Sequence, residues 1–128
     1  MITVRDAVEA DLPAIIDIYN QSIPSGLSTA DTHLICVEER RPWFRQFSPK
    51  KRPIWVAERA GKIVGYIYIT SFYGGRPAYD KTAEVSLYLA PKAQRQGLGT
   101  DLMQRMIDAC PQLGVTTLIG MHFDHNEA

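Results

Sequence analysis

The sequence has no excess of charge of either sign. Its 14 Lys and Arg balance 14 Asp and Glu, for a formal net charge of zero. Chains that bind nucleic acid or an anionic membrane usually carry a basic surplus, so neither partner is expected. Cysteine is scarce as well. Only Cys36 and Cys110 are present, with no C-x-x-C pair and no His or Cys at metal-ligand spacing around them. They read as two reduced, half-buried thiols of a cytoplasmic protein rather than a disulfide framework. His33, His122 and His125 form no metal triad, although the last two stand at i, i+3 spacing, and no metal is expected. No apolar run approaches membrane-spanning length, and the opening Met1 to Asp6 does not read as a signal peptide. Internal repeats and low-complexity segments are missing.

What is present is 128 residues, 45% of them hydrophobic and 22% charged. That suits one domain over residues 1–128. The short basic runs Arg40-Arg41 and Lys50-Lys51-Arg52 read as solvated loop faces.

Ile2 and Val4 alternate with polar residues, which predicts an opening strand. Asp11 is placed to cap a helix with Pro13 in its first turn. Leu12, Ile15, Ile16, Tyr19 and Ile23 give that helix one apolar face. Glu38 to Phe47 reads as a short second helix carrying Trp43, Phe44 and Phe47. Ile54 to Glu58 and Ile63 to Phe72 are strands joined by a tight turn at Ala60-Gly61-Lys62. Thr82 to Leu89 is a strand, Gly97 to Cys110 a helix, and Val115 to Met121 a last strand. The order β-α-α-β-β-β-α-β predicts an α/β (α+β) domain with a mixed, mostly antiparallel sheet flanked by helices.

Chemistry concentrates between Glu84 and Asp101. A strand ending at Leu87-Tyr88-Leu89 passes through Ala90 to Ala93 into Gln94-Arg95-Gln96-Gly97-Leu98-Gly99-Thr100, where a helix opens. The first N–H groups of a helix have no acceptor within it, and the helix dipole adds positive charge there. Such a start binds phosphate. Gly97 and Gly99 leave room for a pyrophosphate, and Gln94 and Arg95 add donors at the rim. No Lys-Ser/Thr pair follows the glycines and there is no G-x-G-x-x-G, which argues against a nucleotide P-loop and a dinucleotide fold. On spacing alone, two glycines at a helix start fit a tight turn equally well. Glu84, in an otherwise apolar strand, either faces solvent or sits in a cleft. Alternation puts it on one face with Ser86 and Tyr88, opposite Val85, Leu87 and Leu89.

Gln94 to Gly99 resembles the Q/R-x-x-G-x-G/A signature of the GNAT superfamily of N-acetyltransferases. Thr82 to Pro91 is similar to the T-x-E-x-S-V-Y-V-x-P strand of the phosphinothricin acetyltransferase family. Ile18-Tyr19-Asn20, Trp43-Phe44 and Arg76-Pro77-Ala78-Tyr79 resemble that family too, so the likeness spans the chain. It implies acetyl-CoA as co-substrate, with backbone groups of Leu87, Tyr88 and Leu89 pairing with the pantetheine arm. It also implies that the turn Gln94, Arg95, Gln96, Gly97, Leu98, Gly99 and Thr100 holds the pyrophosphate and that Asn126 touches the cofactor. Glu84 takes the place of the family's general base. Arg76, Tyr79 and Ser28 to Ala30 take the place of residues lining the acceptor pocket, with Arg76 meeting an acceptor carboxylate.

The resemblance therefore implies acetyl transfer to the primary amine of a small amino-acid-like acceptor of the phosphinothricin or methionine-sulfoximine type. It admits a homodimer. Two rivals stand beside it: an acetyltransferase for protein or polyamine amines, and a non-catalytic acetyl-CoA-binding module. The family pattern continues past Asn126-Glu127-Ala128 through a further helix and strand pair, so a C-terminally shortened domain is expected. Tyr66, Tyr68, Phe72, Trp43 and Trp55 are expected to serve packing rather than substrate contact.

Overall fold

A computed structural model describes residues 2–21, 37–71, 81–93 and 97–123. Strand β1 (Ile2–Asp6) leads through a 3-10 turn (Glu9–Asp11) into helix α1 (Leu12–Gln21), and helix α2 (Val37–Phe44) follows. Strands β2 (Ile54–Arg59), β3 (Lys62–Ser71) and β4 (Thr82–Leu89) come next. A 3-10 turn (Pro91–Ala93), helix α3 (Leu98–Leu113) and strand β5 (Thr117–Phe123) complete the order. The five strands form one sheet in the order β1-β2-β3-β4-β5. Its first three junctions are antiparallel, and β4 pairs with β5 in parallel. The mixed, mostly antiparallel sheet expected from the sequence is therefore present. Parallel neighbours need a crossover, and α3 supplies it.

The tight turn between β2 and β3 is a two-residue loop. Arg59 pairs with Lys62, and between them Ala60 and Gly61 both have positive φ, 55° and 79°. That is the primed geometry whose twist matches a hairpin.

The sheet buries both faces. Against α3 lie Ala57, Ile67, Ile69, Val85 and Leu87, which meet Leu98, Leu102, Met106 and Cys110 at helical spacing. Against α1 lie Ile54, Val56, Tyr66 and Tyr88, which meet Ile15 and Ile18. Cys110 is a buried free thiol whose Sγ lies 3.3 Å from the Met106 carbonyl oxygen. Cys36 lies outside the described residues.

Several sequence expectations are corrected in detail. Asp11 belongs to the 3-10 turn rather than capping α1. Its carboxylate turns back to accept the Val8 N–H at 2.8 Å and both ends of the Arg5 guanidinium at 2.8 and 2.9 Å. Arg5 also reaches Glu58 at 3.2 Å, so one arginine ties β1 to the turn before α1 and to β2. Helix α2 stops at Phe44 rather than Phe47, where i→i−3 bonds from Gln46 and Phe47 tighten the chain into turns. Helix α3 runs beyond Cys110, through Pro111, to Leu113, with Gly114 as its C-cap. Strand β5 starts two residues later than expected. Val115 first docks its N–H on the Cys110 carbonyl, and Thr116 and Thr117 donate to the Lys81 carbonyl.

The basic runs are solvated loop faces only in part: Lys50 and Lys51 are exposed in a turn, but the three arginines are not so placed. Arg52 is buried and donates to the Ser71 hydroxyl and the Lys51 carbonyl. Arg40 and Arg41 sit on α2. Arg41 pairs with Glu9 and Glu38, while Arg40 covers the rings of Tyr19 and Trp43.

Candidate active site

Strand β4 builds the floor of the site. Glu84, Ser86 and Tyr88 pair across with Thr70, Tyr68 and Tyr66 of β3. Val85 and Leu87 face α3, so the alternation expected from the sequence holds. Glu84 is half-buried, and its carboxylate makes no hydrogen bond or ion pair among the described residues. Its neighbours across the two junctions are Thr70 and Ile119.

The ladder between β4 and β5 runs from Thr82↔Thr117 to Leu87↔Phe123. It shifts register between Val85 and Ser86, where Gly120 and His122 are the partners. Tyr88 and Leu89 carry β4 beyond the last pair of that ladder while still paired with β3. The backbone expected to meet the pantetheine arm thus comprises Leu87, in the last described pair of that ladder, and the two β4 residues that follow it.

Helix α3 begins beside that point. Gly97 precedes it with φ 79°, a left-handed conformation that disfavours any residue with a Cβ. Gly97, as N-cap, accepts the Asp101 N–H at 3.0 Å on its carbonyl, which is the first bond of the helix. The N–H groups of Leu98, Gly99 and Thr100 consequently have no acceptor inside α3. A Cβ on Gly99 would lie 3.4 Å from Leu87 Cδ2 and 3.5 Å from Leu89 Cδ1. These are ordinary contact distances, and they place the start of the helix directly on the strand residues that precede it. Leu98 is buried in the core, so its side chain anchors the turn, and only its backbone is available to a ligand. The same holds for Leu87. A left-handed glycine, a helix start and two side chains that hold them in place fit a pyrophosphate.

On the α1 and α2 side, a cluster of aromatic rings covers β3 and β4. Tyr66 stacks on Tyr88 with ring centroids 5.1 Å apart and on Tyr68 at 6.1 Å. Tyr19 meets Tyr88 edge-on at 5.7 Å, and Trp43 and Phe47 each meet Tyr68 edge-on at 5.3 Å. Trp43 is a packing residue, as expected. Tyr68 does more than pack: its hydroxyl is hydrogen-bonded with those of Ser86 and Tyr88. Burial pushes the Tyr68 phenol up. The Ser86 bond, the Arg40 charge and the Tyr88 bond oppose that rise, and the Glu84 carboxylate adds to it. Burial likewise pushes Tyr66 well up. The signal for this network was the alternation Tyr66-x-Tyr68 facing Ser86-x-Tyr88, which sequence reasoning took for packing alone.

Of the residues singled out in the sequence, the structure brings together Glu84, Leu87, Tyr88, Leu89, Gly97, Leu98, Gly99 and Thr100. Gln94, Arg95, Gln96, Arg76, Tyr79 and Asn126 lie outside the described residues, as do Ser28 to Ala30 and Phe72. No described helix is long and apolar enough to cross a membrane.

The acetyltransferase (GNAT) family profile matches residues 12–128. YwnH of Bacillus subtilis (strain 168), provisionally named a phosphinothricin acetyltransferase, is 40% identical over 126 residues, which are 98% of this chain and 76% of YwnH. The phosphinothricin N-acetyltransferase of Alcaligenes faecalis is 38% identical over 108 residues, 84% of this chain and 54% of that protein. The crystal structure of a GNAT superfamily phosphinothricin acetyltransferase from Sinorhizobium meliloti, in complex with acetyl-CoA, superposes with a TM-score of 0.75 at 34% identity. That superposition covers 85% of this chain and 59% of the other. The present chain thus spans between about half and three quarters of the length of these relatives. With a β-α-β unit whose helix opens on a left-handed glycine, the chain belongs to the acetyltransferase (GNAT) family and is an N-acetyltransferase of the acetyl-CoA-dependent kind.

Proposed function

We propose that the chain acetylates the primary amine of a small amino-acid-like acceptor of the phosphinothricin or methionine-sulfoximine type, with Glu84 as general base. Glu84 carries the reading. It is a half-buried carboxylate with no hydrogen bond or ion pair among the described residues, on the strand that continues into Leu87, Tyr88 and Leu89. A carboxylate so placed is available to a ligand. The names of the relatives support the acceptor class.

An ammonium cannot attack a thioester, so the acceptor must first lose a proton. Glu84 takes it, directly or through one water. The amine nitrogen then attacks the acetyl carbonyl carbon, and a backbone N–H of the Glu84 to Leu89 segment steadies the oxyanion. The tetrahedral species collapses by breaking the C–S bond. Coenzyme A leaves as thiolate and is protonated, and the amide nitrogen loses its second proton. Backbone groups of Leu87, Tyr88 and Leu89 hold the pantetheine arm. Gln94, Arg95, Gln96, Gly97, Leu98, Gly99 and Thr100 hold the pyrophosphate, and Asn126 supports the cofactor. Arg76 and Tyr79 hold the acceptor, Arg76 at its carboxylate. The reading takes residues 1–128 as one acetyltransferase domain working in the cytoplasm, alone or as a homodimer.

The test compares wild type with Glu84→Gln in a thiol-release assay, with acetyl-CoA affinity followed by calorimetry. Loss of a general base lowers kcat/KM by about 100-fold or more at neutral pH, with the acetyl-CoA Kd unchanged. Normal turnover by Glu84→Gln shows that the base is another group. Turnover of protein or polyamine amines alone, with no small amino acid accepted, overturns the acceptor class.

A further inference from the structure

Four arginines on the described surface meet carboxylates: Arg5 meets Asp11 and Glu58, Arg41 meets Glu9 and Glu38, Arg45 meets Glu9, and Arg105 meets Asp101. Arg40 differs. Its guanidinium carbon lies 4.9 Å from the Trp43 ring centroid and 5.3 Å from that of Tyr19, and it meets no carboxylate among the described residues. Two rings thus hold the guanidinium, and its edge donors meet no carboxylate among the described residues.

Arg40 is also aimed at the site. The two rings it rests on belong to the cluster over β3 and β4: Trp43 meets Tyr68 edge-on at 5.3 Å, and Tyr19 meets Tyr88 edge-on at 5.7 Å. Tyr68 bonds to Ser86, which follows Glu84 by two residues on the same face, an advance of about 7 Å. Tyr68 therefore stands between the ring that carries Arg40 and the strand segment that carries Glu84, and no ion pair joins those two charges. This arrangement mirrors a ligand with an ammonium at one end and an anion several bonds away at the other.

We propose that Arg40 is a specificity-determining residue that receives the side-chain acid of the acceptor, while the acceptor's amine meets Glu84. This inference rests on the acceptor class proposed above. It separates two roles: Arg76 meets the α-carboxylate that every amino acid carries, and Arg40 meets the group that distinguishes an acidic side chain. The span from Glu84 past Ser86 to Tyr68 suits a γ-position acid rather than the α-carboxylate beside the amine.

Phosphinothricin and L-methionine sulfone test this, because they match closely in shape and differ in side-chain charge, anionic against neutral. Arg40→Met keeps an apolar stem on Tyr19 and Trp43 and removes the charge; Arg40→Lys restores charge without the planar fork. Steady-state kinetics with both acceptors are read alongside thermal melting and acetyl-CoA calorimetry. In Arg40→Met, KM for phosphinothricin rises about 10- to 100-fold, as expected for a lost charge-assisted pair. KM for methionine sulfone changes less than about twofold, and Arg40→Lys recovers part of the phosphinothricin KM. An equal rise for both acceptors, or no rise for either, overturns the assignment. Should Arg40→Met melt at a much lower temperature, the ratio of the two KM values in Arg40→Lys decides in the same way. Wild type turning over neither amino acid overturns the acceptor class and this inference together, and that result needs no variant to be seen.

Discussion

Gly65 is a position where the sheet and the site constrain each other. It stands on β3 opposite Leu89 of β4 and Ala57 of β2. A Cβ added there would lie 2.7 Å from Leu89 Cδ2 and 3.1 Å from the Tyr88 carbonyl oxygen. Carbon atoms pack best at about 3.5–4.0 Å, so Gly65→Ala drives roughly 1 Å of overlap into Leu89. The leucine can rotate away, but the carbonyl is held in the β3–β4 ladder. Overpacking of this kind costs about 1–3 kcal/mol. Restricting the unfolded chain returns about 0.4–1 kcal/mol, leaving a net loss of about 1–2 kcal/mol. For a domain of this size that is a fall in Tm of about 5 °C. The displacement also has a direction. Leu89 is one of two side chains against Gly99 at the start of α3, so pushing it moves the helix start and weakens acetyl-CoA binding. Differential scanning calorimetry and acetyl-CoA titration on Gly65→Ala read both effects. In a Leu89→Ala background the cost of Gly65→Ala falls by about half, because only the carbonyl clash remains. A Gly65→Ala protein as stable as wild type, or an undiminished cost beside Leu89→Ala, refutes the reasoning.

Gly97→Ala forces a Cβ into a left-handed conformation at φ 79°; stability falls by about 1 kcal/mol, and acetyl-CoA Kd rises by more than the loss of stability explains, as calorimetry checks. Met106→Ala empties a fully buried position between α3 and the sheet and costs about 3 kcal/mol by urea unfolding, with the Kd for acetyl-CoA nearly unchanged. Asp11→Asn weakens the bridge to Arg5, whose partly exposed side chain limits the effect to about 1 kcal/mol at pH 7. Arg5 is the main reason that the native carboxyl titrates below its usual range, so its contribution is complete above an unfolded carboxylate's value, near pH 4, and is lost as pH falls through the lower native value. Wild type and Asp11→Asn therefore converge in stability on acidification, which denaturation at pH 7 and at about pH 2.5 resolves.

The fold was largely legible because its strongest signals are periodic. The β-branched and aromatic stretch around Ile67 and the four apolar positions Leu98, Leu102, Met106 and Cys110 each dictate one element and one buried face. Boundaries were less legible, since they depend on bonds between distant segments. The Lys81 carbonyl that receives Thr116 and Thr117 delays β5, and nothing local to Val115 announces it. In the site, the glycine turn was legible because it requires a residue type, and Glu84 because a carboxylate among apolar residues is out of place. Arg40 was not, since a pair of arginines on a polar helix looks the same whether its charges meet Glu38 and Glu9 or the rings of Tyr19 and Trp43. The Arg5 bridge escaped for the same reason: its partners Asp11 and Glu58 are separated by most of α1, α2 and β2 in the chain.

The coincidence of strand order with chain order also bears on how the protein assembles. Each antiparallel junction joins consecutive strands, so β1 through β4 can close in succession. The β1–β2 junction waits for α1 and α2, and from β2 onward the β4–β5 junction alone waits for a helix, so it carries the largest closure entropy of that run. The β5 edge beside β4 is thus the last part of that run of the sheet to dock and the first to release. Ligand that bridges β4 and the start of α3 would act as a clamp on this late-forming edge, slowing amide exchange in β5 more than in β2 or β3.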